Sequence, residues 1–217
     1  MSIEKDEAAT DGRRGRKARR TREALAGAAL RLVLDRGLAA VAVEDVTELA
    51  DVSRRTFSRY FPSREDAVLD CLRADFDRIN AALASRPADE APLTAYRAAL
   101  RHWLRDEAEP AWHRRPDMPE LFALIAREPS LTAVYRRICV DAEEASIRIA
   151  AARLGLDAER DLRPAVAIGL GVAALLAATR AWVRRPAQDD GAGGLPELLE
   201  QAFTTLAAEP PPDHPRA

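Results

Sequence analysis

Cysteine is scarce in this chain of 217 residues: Cys71 and Cys139 lie far apart, each within a helical pattern. That spacing excludes a disulfide framework, offers no metal site and is typical of a protein in a reducing cytosol. Long hydrophobic runs are also missing, since the longest covers residues 165–178 and has 14 residues, fewer than the roughly 18–20 that span a bilayer. No apolar stretch near the N-terminus suggests a secretory signal. We therefore expect a cytoplasmic protein with no membrane partner.

Catalytic motifs are absent as well. The sequence contains no HExxH, GxSxG, P-loop or CxxC motif, and glutamate never stands three residues before any of the three histidines. The second absence excludes the Glu-x-x-His pairs of a di-iron helical bundle. We expect a protein that is not an enzyme and that uses no cofactor and no metal.

The charge is unevenly distributed, although the net charge is only −2. Residues 1–64 carry 14 basic and 10 acidic side chains, whereas the remainder carries 19 and 25. Within residues 13–22, seven of ten side chains are basic and none is acidic. A basic N-terminal part on an acidic body suggests a polyanion partner for that part alone. A solvated, disordered leader is the alternative.

Apolar residues recur with helical periodicity along nearly the whole chain, and no credible strand pattern is present. The fold class is therefore all-α. We divide the chain into a disordered basic arm (1–18), a helical head (19–80), a larger helical body (81–208) and a disordered, proline-rich tail (209–217).

Stop and start signals bound several of these helices. Gly37 ends the first helix, and Gly155 ends a long helix of the body. Ser63, followed by Asp66, predicts an N-cap for one continuous helix that runs to Leu83 and joins the head to the body.

The most specific signal is a helix-turn-helix pattern over residues 43–61. Two short helices flank a tight turn at Asp51, and Ser53 is placed to cap the second helix. Phe57 and Phe61 are four residues apart and must face inward, which turns the arginines of the second helix outward. An arginine fork can bind guanine O6 and N7 together, or a phosphate. A merely solvated arginine-rich face is the alternative in a chain with 31 arginines.

The stretch from Thr21 to Leu72 resembles the TetR family of bacterial transcriptional regulators. The matching positions fix helix caps, core and outward surface together: Thr21, Leu25, Ala28, Ala29, Leu30, Gly37, Val43, Glu44, Asp45, Val46, Ala50, Val52, Ser53, Thr56, Phe57, Tyr60, Phe61, Ser63, Arg64 and Glu65. The resemblance implies a three-helix DNA-binding head on a larger helical body for dimerisation and ligand binding. It further implies a homodimer, most often a repressor, that binds a near-palindromic double-stranded DNA operator.

The resemblance also assigns roles to residues of the second helix and its surroundings. Arginines would enter the major groove or approach a base edge, and the hydroxyl groups and one further arginine would contact phosphates. The DNA-binding residues expected on this basis are Ser53, Arg54, Arg55, Thr56, Ser58, Arg59, Tyr60 and Arg64. Ser58 stands where the family commonly has an aromatic residue, and Asp51 where it usually has glycine. Thr47 replaces a usual alanine.

The body contains an apolar segment, Leu162–Val183, that must be covered on several sides. Together with the last helix it fits half of a two-fold four-helix interface, and family members pair through their last two long helices. A central helix buried within a monomer is the alternative. The interface residues expected are Ile168, Gly169, Val172, Leu175, Leu176, Leu199 and Phe203.

An effector pocket would have to lie among the helices between residues 76 and 182. Its candidate lining residues are Phe76, Trp103, Trp112, His113, Phe122, Tyr135 and Trp182. Aromatic residues at helical spacing are more often ordinary core, and the segment around Trp112 could instead be an exposed loop. The layout is similar to that of actinobacterial members thought to sense lipid-like or acyl-thioester ligands, which points to a small-molecule effector.

Two other functions fit the same pattern. A helical interaction or scaffold protein with a basic head would bind DNA without sequence preference. A transcriptional activator of the same fold would bind an operator with the opposite effect on transcription.

Overall fold

The computed structural model describes residues 2–185 and 194–208, with side chains from residue 15 onward. Within these residues the fold is entirely helical, with no strand, as predicted. The ten α-helices are α1 (Ser2–Arg36), α2 (Val43–Leu49), α3 (Arg54–Tyr60), α4 (Arg64–Val68), α5 (Asp70–Ala84), α6 (Pro92–Arg105), α7 (Met118–Arg127), α8 (Pro129–Leu154), α9 (Leu162–Val183) and α10 (Leu195–Ala207). The predicted tail, 209–217, lies outside the described residues.

The chain divides into two compact units. The first contains Met1–Arg73 and Leu124–Arg136, and the second contains Ala74–Ala123 and Arg137–Ala217. The expected division at residue 80 differs from this one, because the first unit also includes 124–136. Periodicity could not predict that addition, since it identifies the apolar face of a helix but not the unit against which the face packs.

The core of the first unit forms around one face of α1. Leu25, Ala29 and Val33 repeat at helical spacing and are buried, and Phe57 and Phe61 are buried in the same unit. The helix ends at Gly37, which has a φ of 80°, a backbone conformation that glycine adopts without steric cost. Gly155, with a φ of 64°, likewise follows the end of α8. Both predicted stops are confirmed.

The N-terminal segment differs from the expected disordered arm. In the structure α1 begins at Ser2, and the described side chains of residues 15–18 belong to an exposed or half-buried part of this helix. Arginine, lysine and alanine are good helix formers, so the helix nucleated by the buried part of α1 extends through the basic segment.

The helix expected from Ser63 to Leu83 is interrupted. Ser63 does cap α4, accepting a hydrogen bond from the backbone N–H of Asp66, but α4 ends at Val68 and α5 begins at Asp70. Leu69 separates them with φ −95° and ψ 7° and is fully buried. The prediction of a single continuous helix is wrong, because a one-residue break between two apolar stretches leaves the sequence periodicity almost unchanged.

In the second unit α9 packs against α6 and α10. Gly171 allows the close approach to α6, since a Cβ at this position would lie 2.4 Å from Cδ1 of the buried Tyr96. α10 is joined to α6 by Glu200, whose carboxylate accepts hydrogen bonds from Arg101 and Arg97. Hydrogen bonds from these two guanidinium groups lower the pKa of Glu200 to about 2.

The length of α9 corrects one expectation. Its 22 residues make it long and apolar enough to cross a membrane, whereas the sequence run had been counted as too short. Length and composition alone are weak evidence, because the core helix of a soluble protein passes the same test. About a third of its most apolar 18-residue stretch is buried within the protein.

Candidate functional site

The helix-turn-helix has the local geometry that its sequence predicts. Asp51 adopts a left-handed backbone with φ 51° in the turn between α2 and α3. Ser53 caps α3, its hydroxyl accepting a hydrogen bond of 3.1 Å from the backbone N–H of Thr56. At the start of α2, the carboxylate of Asp45 accepts a 2.6 Å bond from the N–H of Ala42. Both short helices therefore have defined N-termini.

Two phenylalanines determine which face of α3 is exposed. Phe57 and Phe61 are each 2% exposed, with ring centroids 5.7 Å apart. As predicted, this orientation leaves Arg54, Arg55 and Ser58 exposed. Arg59 and Ser53 are exposed as well, while Thr56 and Tyr60 are half-buried. The exposed face therefore combines three guanidinium groups with two hydroxyl groups.

Two of these arginines already have partners within the head. Arg59 lies over the ring of Tyr60, 4.9 Å from its centroid, and donates a 3.2 Å hydrogen bond to the tyrosine hydroxyl. Arg54 forms a 2.7 Å ion pair with Glu44 of α2. These contacts hold both guanidinium groups beside α3 rather than leaving them extended into solvent.

Arg64 has a different position from the phosphate clamp that the resemblance implies. Its guanidinium donates to the carbonyl of Val41 and lies 3.1 Å from the carboxylate of Glu65. The side chain is only 24% exposed. In this conformation Arg64 joins the start of α4 to the loop before α2.

A second ion pair, which the sequence analysis missed, supports α3 from behind. Arg22 of α1 binds the carboxylate of Asp70 through two nitrogens, with distances from 2.6 to 3.1 Å. Its guanidinium also lies 5.0 Å from the ring centroid of Phe61. The two residues are 48 positions apart, and Arg22 looked like one more member of the basic segment, so no local signal identified the pair.

In the second unit, five of the seven candidate effector residues lie together. Trp112 is central: its ring centroid lies 4.9 Å from Phe122, 5.3 Å from Trp182, and 6.1 Å from both Trp103 and His113. Phe76 is half-buried in the same unit. Tyr135 belongs to the first unit and is not part of this aromatic cluster.

The interior of the aromatic cluster is well packed, and its edge is polar. Trp103 and Trp112 are buried, whereas His113 and Trp182 are half-buried. Burial lowers the pKa of His113 to about 4, and the nearby charge of Arg114 lowers it further, so this imidazole is neutral at pH 7. Its Nδ1 is buried without a hydrogen-bond partner among the described residues.

Asp75 of α5 holds the aromatic cluster in place and was not predicted. Its carboxylate accepts hydrogen bonds of 3.0 Å from Trp103 Nε1 and 3.1 Å from the backbone N–H of Trp112, and it also binds Arg78. Because the carboxylate is buried, these donors keep its charge compensated. Helix α5 thereby fixes both α6 and the segment that leads into His113.

The expected interface residues fall into two groups. Ile168, Leu175, Leu199 and Phe203 are buried within the second unit itself, so the prediction placed them on the wrong face. Gly169, Val172 and Leu176 are half-buried.

The large apolar side chains that α9 exposes are different ones. Leu162, Val166 and Leu170 follow each other at four-residue spacing and are 75%, 58% and 42% exposed. On α10, Leu206 is also exposed. We call Leu162, Val166 and Leu170 the α9 apolar stripe.

Comparison with known proteins matches both parts of the chain. The family described as "Bacterial regulatory proteins, tetR family" matches residues 25–71, and the family described as "MftR C-terminal domain" matches residues 90–211. The chain is 36% identical over 205 residues to the HTH-type transcriptional regulator TcmR of Streptomyces glaucescens, which covers 91% of this chain and 88% of that protein.

Two solved structures are also similar to this chain. A transcriptional regulator (TerR/AcrR family) from Aquifex aeolicus VF5 is 16% identical, with a TM-score of 0.46 over 86% of this chain and 98% of its own. A TetR/AcrR family member is also 16% identical, with a TM-score of 0.44 over 87% and 97% of the two chains.

Proposed function

Since the chain belongs to the TetR family and is a DNA-binding transcriptional regulator, we propose that it is a dimeric repressor, released from a near-palindromic operator by a small molecule. Its place of action would be the cytoplasm, where bacterial DNA lies. The observation that carries the DNA-binding part is the exposed face of α3. Phe57 and Phe61 anchor this helix from behind, which leaves Arg54, Arg55 and Arg59 free of the core.

The proposed contacts follow from the chemistry of that face. Arg55 is exposed next to the capped start of α3, the end that a helix-turn-helix inserts into the major groove. A guanidinium group there can bind O6 and N7 of one guanine, which gives sequence preference. Thr56 and Tyr60, half-buried at the edge, are suited to phosphates, which position the head without reading sequence.

Dimerisation is proposed through the α9 apolar stripe rather than through the residues expected at first. The stripe is a continuous apolar surface on a helix that packs on α6 and α10 of its own chain. A second copy of α9 related by a two-fold axis would cover it with the same surface. Two heads would then read two half-sites about one helical turn apart, or a multiple of that.

Substitution of Arg55 by alanine tests the DNA-binding proposal. We expect Arg55→Ala to weaken binding to the operator by about 1–3 kcal/mol, because one base contact is lost while the exposed position leaves folding intact. The operator would first be selected from random duplex DNA, and affinity measured by fluorescence anisotropy. Arg105→Ala, which removes an exposed arginine from the second unit, is the control. Equal affinities for both variants and the wild type would refute the assignment of α3.

The selection itself separates this function from its alternatives. A scaffold protein with a basic head would yield no enriched sequence, whereas a dimeric regulator should yield a motif with two inverted halves. A reporter gene placed behind the selected motif then distinguishes a repressor from an activator.

The aromatic cluster is the proposed effector region. Trp182 and His113 are half-buried at its edge, and the neutral imidazole leaves a buried nitrogen without a partner among the described residues. An apolar chain with a polar head would suit such an edge. We therefore retain a lipid-like or acyl-thioester ligand as the proposed effector class.

A long-chain acyl coenzyme A provides the test of this effector class. We expect it to quench tryptophan fluorescence and to weaken operator binding by about 5–150-fold, the range of typical allosteric coupling. Free coenzyme A, which has the same head group without the apolar chain, should do neither. Operator binding curves that coincide with and without the acyl compound would rule out this class.

A further inference from the structure

The ion pair between Glu44 and Arg54 connects the two helices of the helix-turn-helix on their exposed side. Arg54 Nη1 lies 2.7 Å from Glu44 Oε1, and the side chains are 74% and 61% exposed. Arg54 is the first residue of α3, so one of the three arginines on the proposed DNA-binding face has an acidic partner before DNA arrives.

This pair contributes little to folding, because exposed ion pairs are well solvated and restrict two long side chains. Its effect on DNA binding is larger. A phosphate or a guanine that takes Arg54 must displace Glu44 or share the guanidinium with it. Displacement leaves a carboxylate beside α3, where it repels the phosphates of the duplex.

The two kinds of DNA differ in what they return to Arg54. On a duplex of arbitrary sequence the return is one phosphate contact, similar in kind to the contact with Glu44 that is lost. On the operator, a correctly placed guanine accepts two parallel hydrogen bonds from the guanidinium. The presence of Glu44 therefore penalises non-specific binding more than specific binding.

From this geometry we infer that Glu44 is a specificity-determining residue of the head: it restrains Arg54 and lowers affinity for non-operator DNA more than affinity for the operator. This inference rests on the proposed function, since it concerns the same DNA-binding face. Its alternative is a purely structural role, in which Glu44 stabilises the first turn of α2 as an acidic residue near a helix N-terminus.

The test compares Glu44→Gln with Glu48→Gln. Both variants remove one negative charge from an exposed position of α2, but Glu44 is the residue paired with Arg54. Affinities for the selected operator and for a scrambled duplex would be measured from low to moderate salt. We expect Glu44→Gln to strengthen binding to the scrambled duplex by about fivefold, with operator affinity changed by less than about twofold. Glu48→Gln should change both affinities by a similar, smaller factor.

Two further measurements separate the outcomes. In an Arg54→Ala background the selective effect of Glu44→Gln should disappear, because the partner it restrains is gone. Thermal unfolding of each variant reports any loss of α2, which a structural role would produce without changing the ratio of the two affinities. Equal effects of Glu44→Gln on both duplexes would overturn the inference while leaving the proposed function intact. A wild-type protein that binds operator and scrambled duplex alike would overturn both.

Discussion

Phe57→Ala should destabilise the protein by about 3–5 kcal/mol and abolish operator binding at protein concentrations that saturate the wild type. Phe57 is almost fully buried and packs against Phe61, so its removal leaves a cavity in the core of the first unit. Helix α3 has only seven residues, too few to remain helical without tertiary contacts. Urea unfolding followed by circular dichroism would give the stability, and fluorescence anisotropy the binding.

Ser58→Ala is the matched control, because Ser58 is the exposed residue next to Phe57 on the same helix. It should unfold within about 0.5 kcal/mol of the wild type. A Phe57→Ala protein with wild-type stability would mean that α3 is held by something other than its phenylalanines. A stable variant that still bound the operator would also remove the argument for the orientation of Arg54 and Arg55.

The head was largely predictable because its determinants are local. The cap at Ser53, the left-handed residue Asp51 and the inward pair Phe57 and Phe61 are each specified within a few positions of sequence, and the structure confirms all of them. The stop at Gly37 belongs to the same class. Such features depend on backbone conformation and helical spacing, which short sequence windows carry.

The contacts that position the candidate sites were not predictable in this way. Arg22 and Asp70 are 48 residues apart, and Asp75 reaches Trp112 across 37 residues. Each of these carboxylates has the sequence context of an ordinary charged residue on an exposed helix face. Only the packing of distant helices gives them their partners, and a single sequence does not contain that information.

Helix α9 shows a further limit. A helix that is apolar nearly all round has no polar face to reveal its orientation, so periodicity cannot tell the covered side from the exposed one. The residues chosen first, among them Ile168 and Leu175, turned out to be covered by their own chain, and Val166 and Leu170 are the exposed ones. The presence of an apolar surface was predictable from composition, but its position on the helix was not.

The position of that surface gives the second large effect. Leu170→Lys should convert a dimer to a monomer, because the two-fold axis would bring a lysine charge from each copy into an apolar interface without a partner. Operator affinity should fall by about 100-fold or more, since each head would then bind one half-site independently. Sedimentation equilibrium would give the mass and anisotropy the affinity.

Folding should survive this substitution, because Leu170 is 42% exposed and a lysine there can extend into solvent in the monomer. Val140→Lys is the matched control: it places the same charge at an exposed valine of α8, away from α9 and α10. The control should remain dimeric and bind the operator as the wild type does. If Leu170→Lys stayed dimeric while Val140→Lys dissociated, the interface would lie on α8, and the α9 apolar stripe would need another explanation.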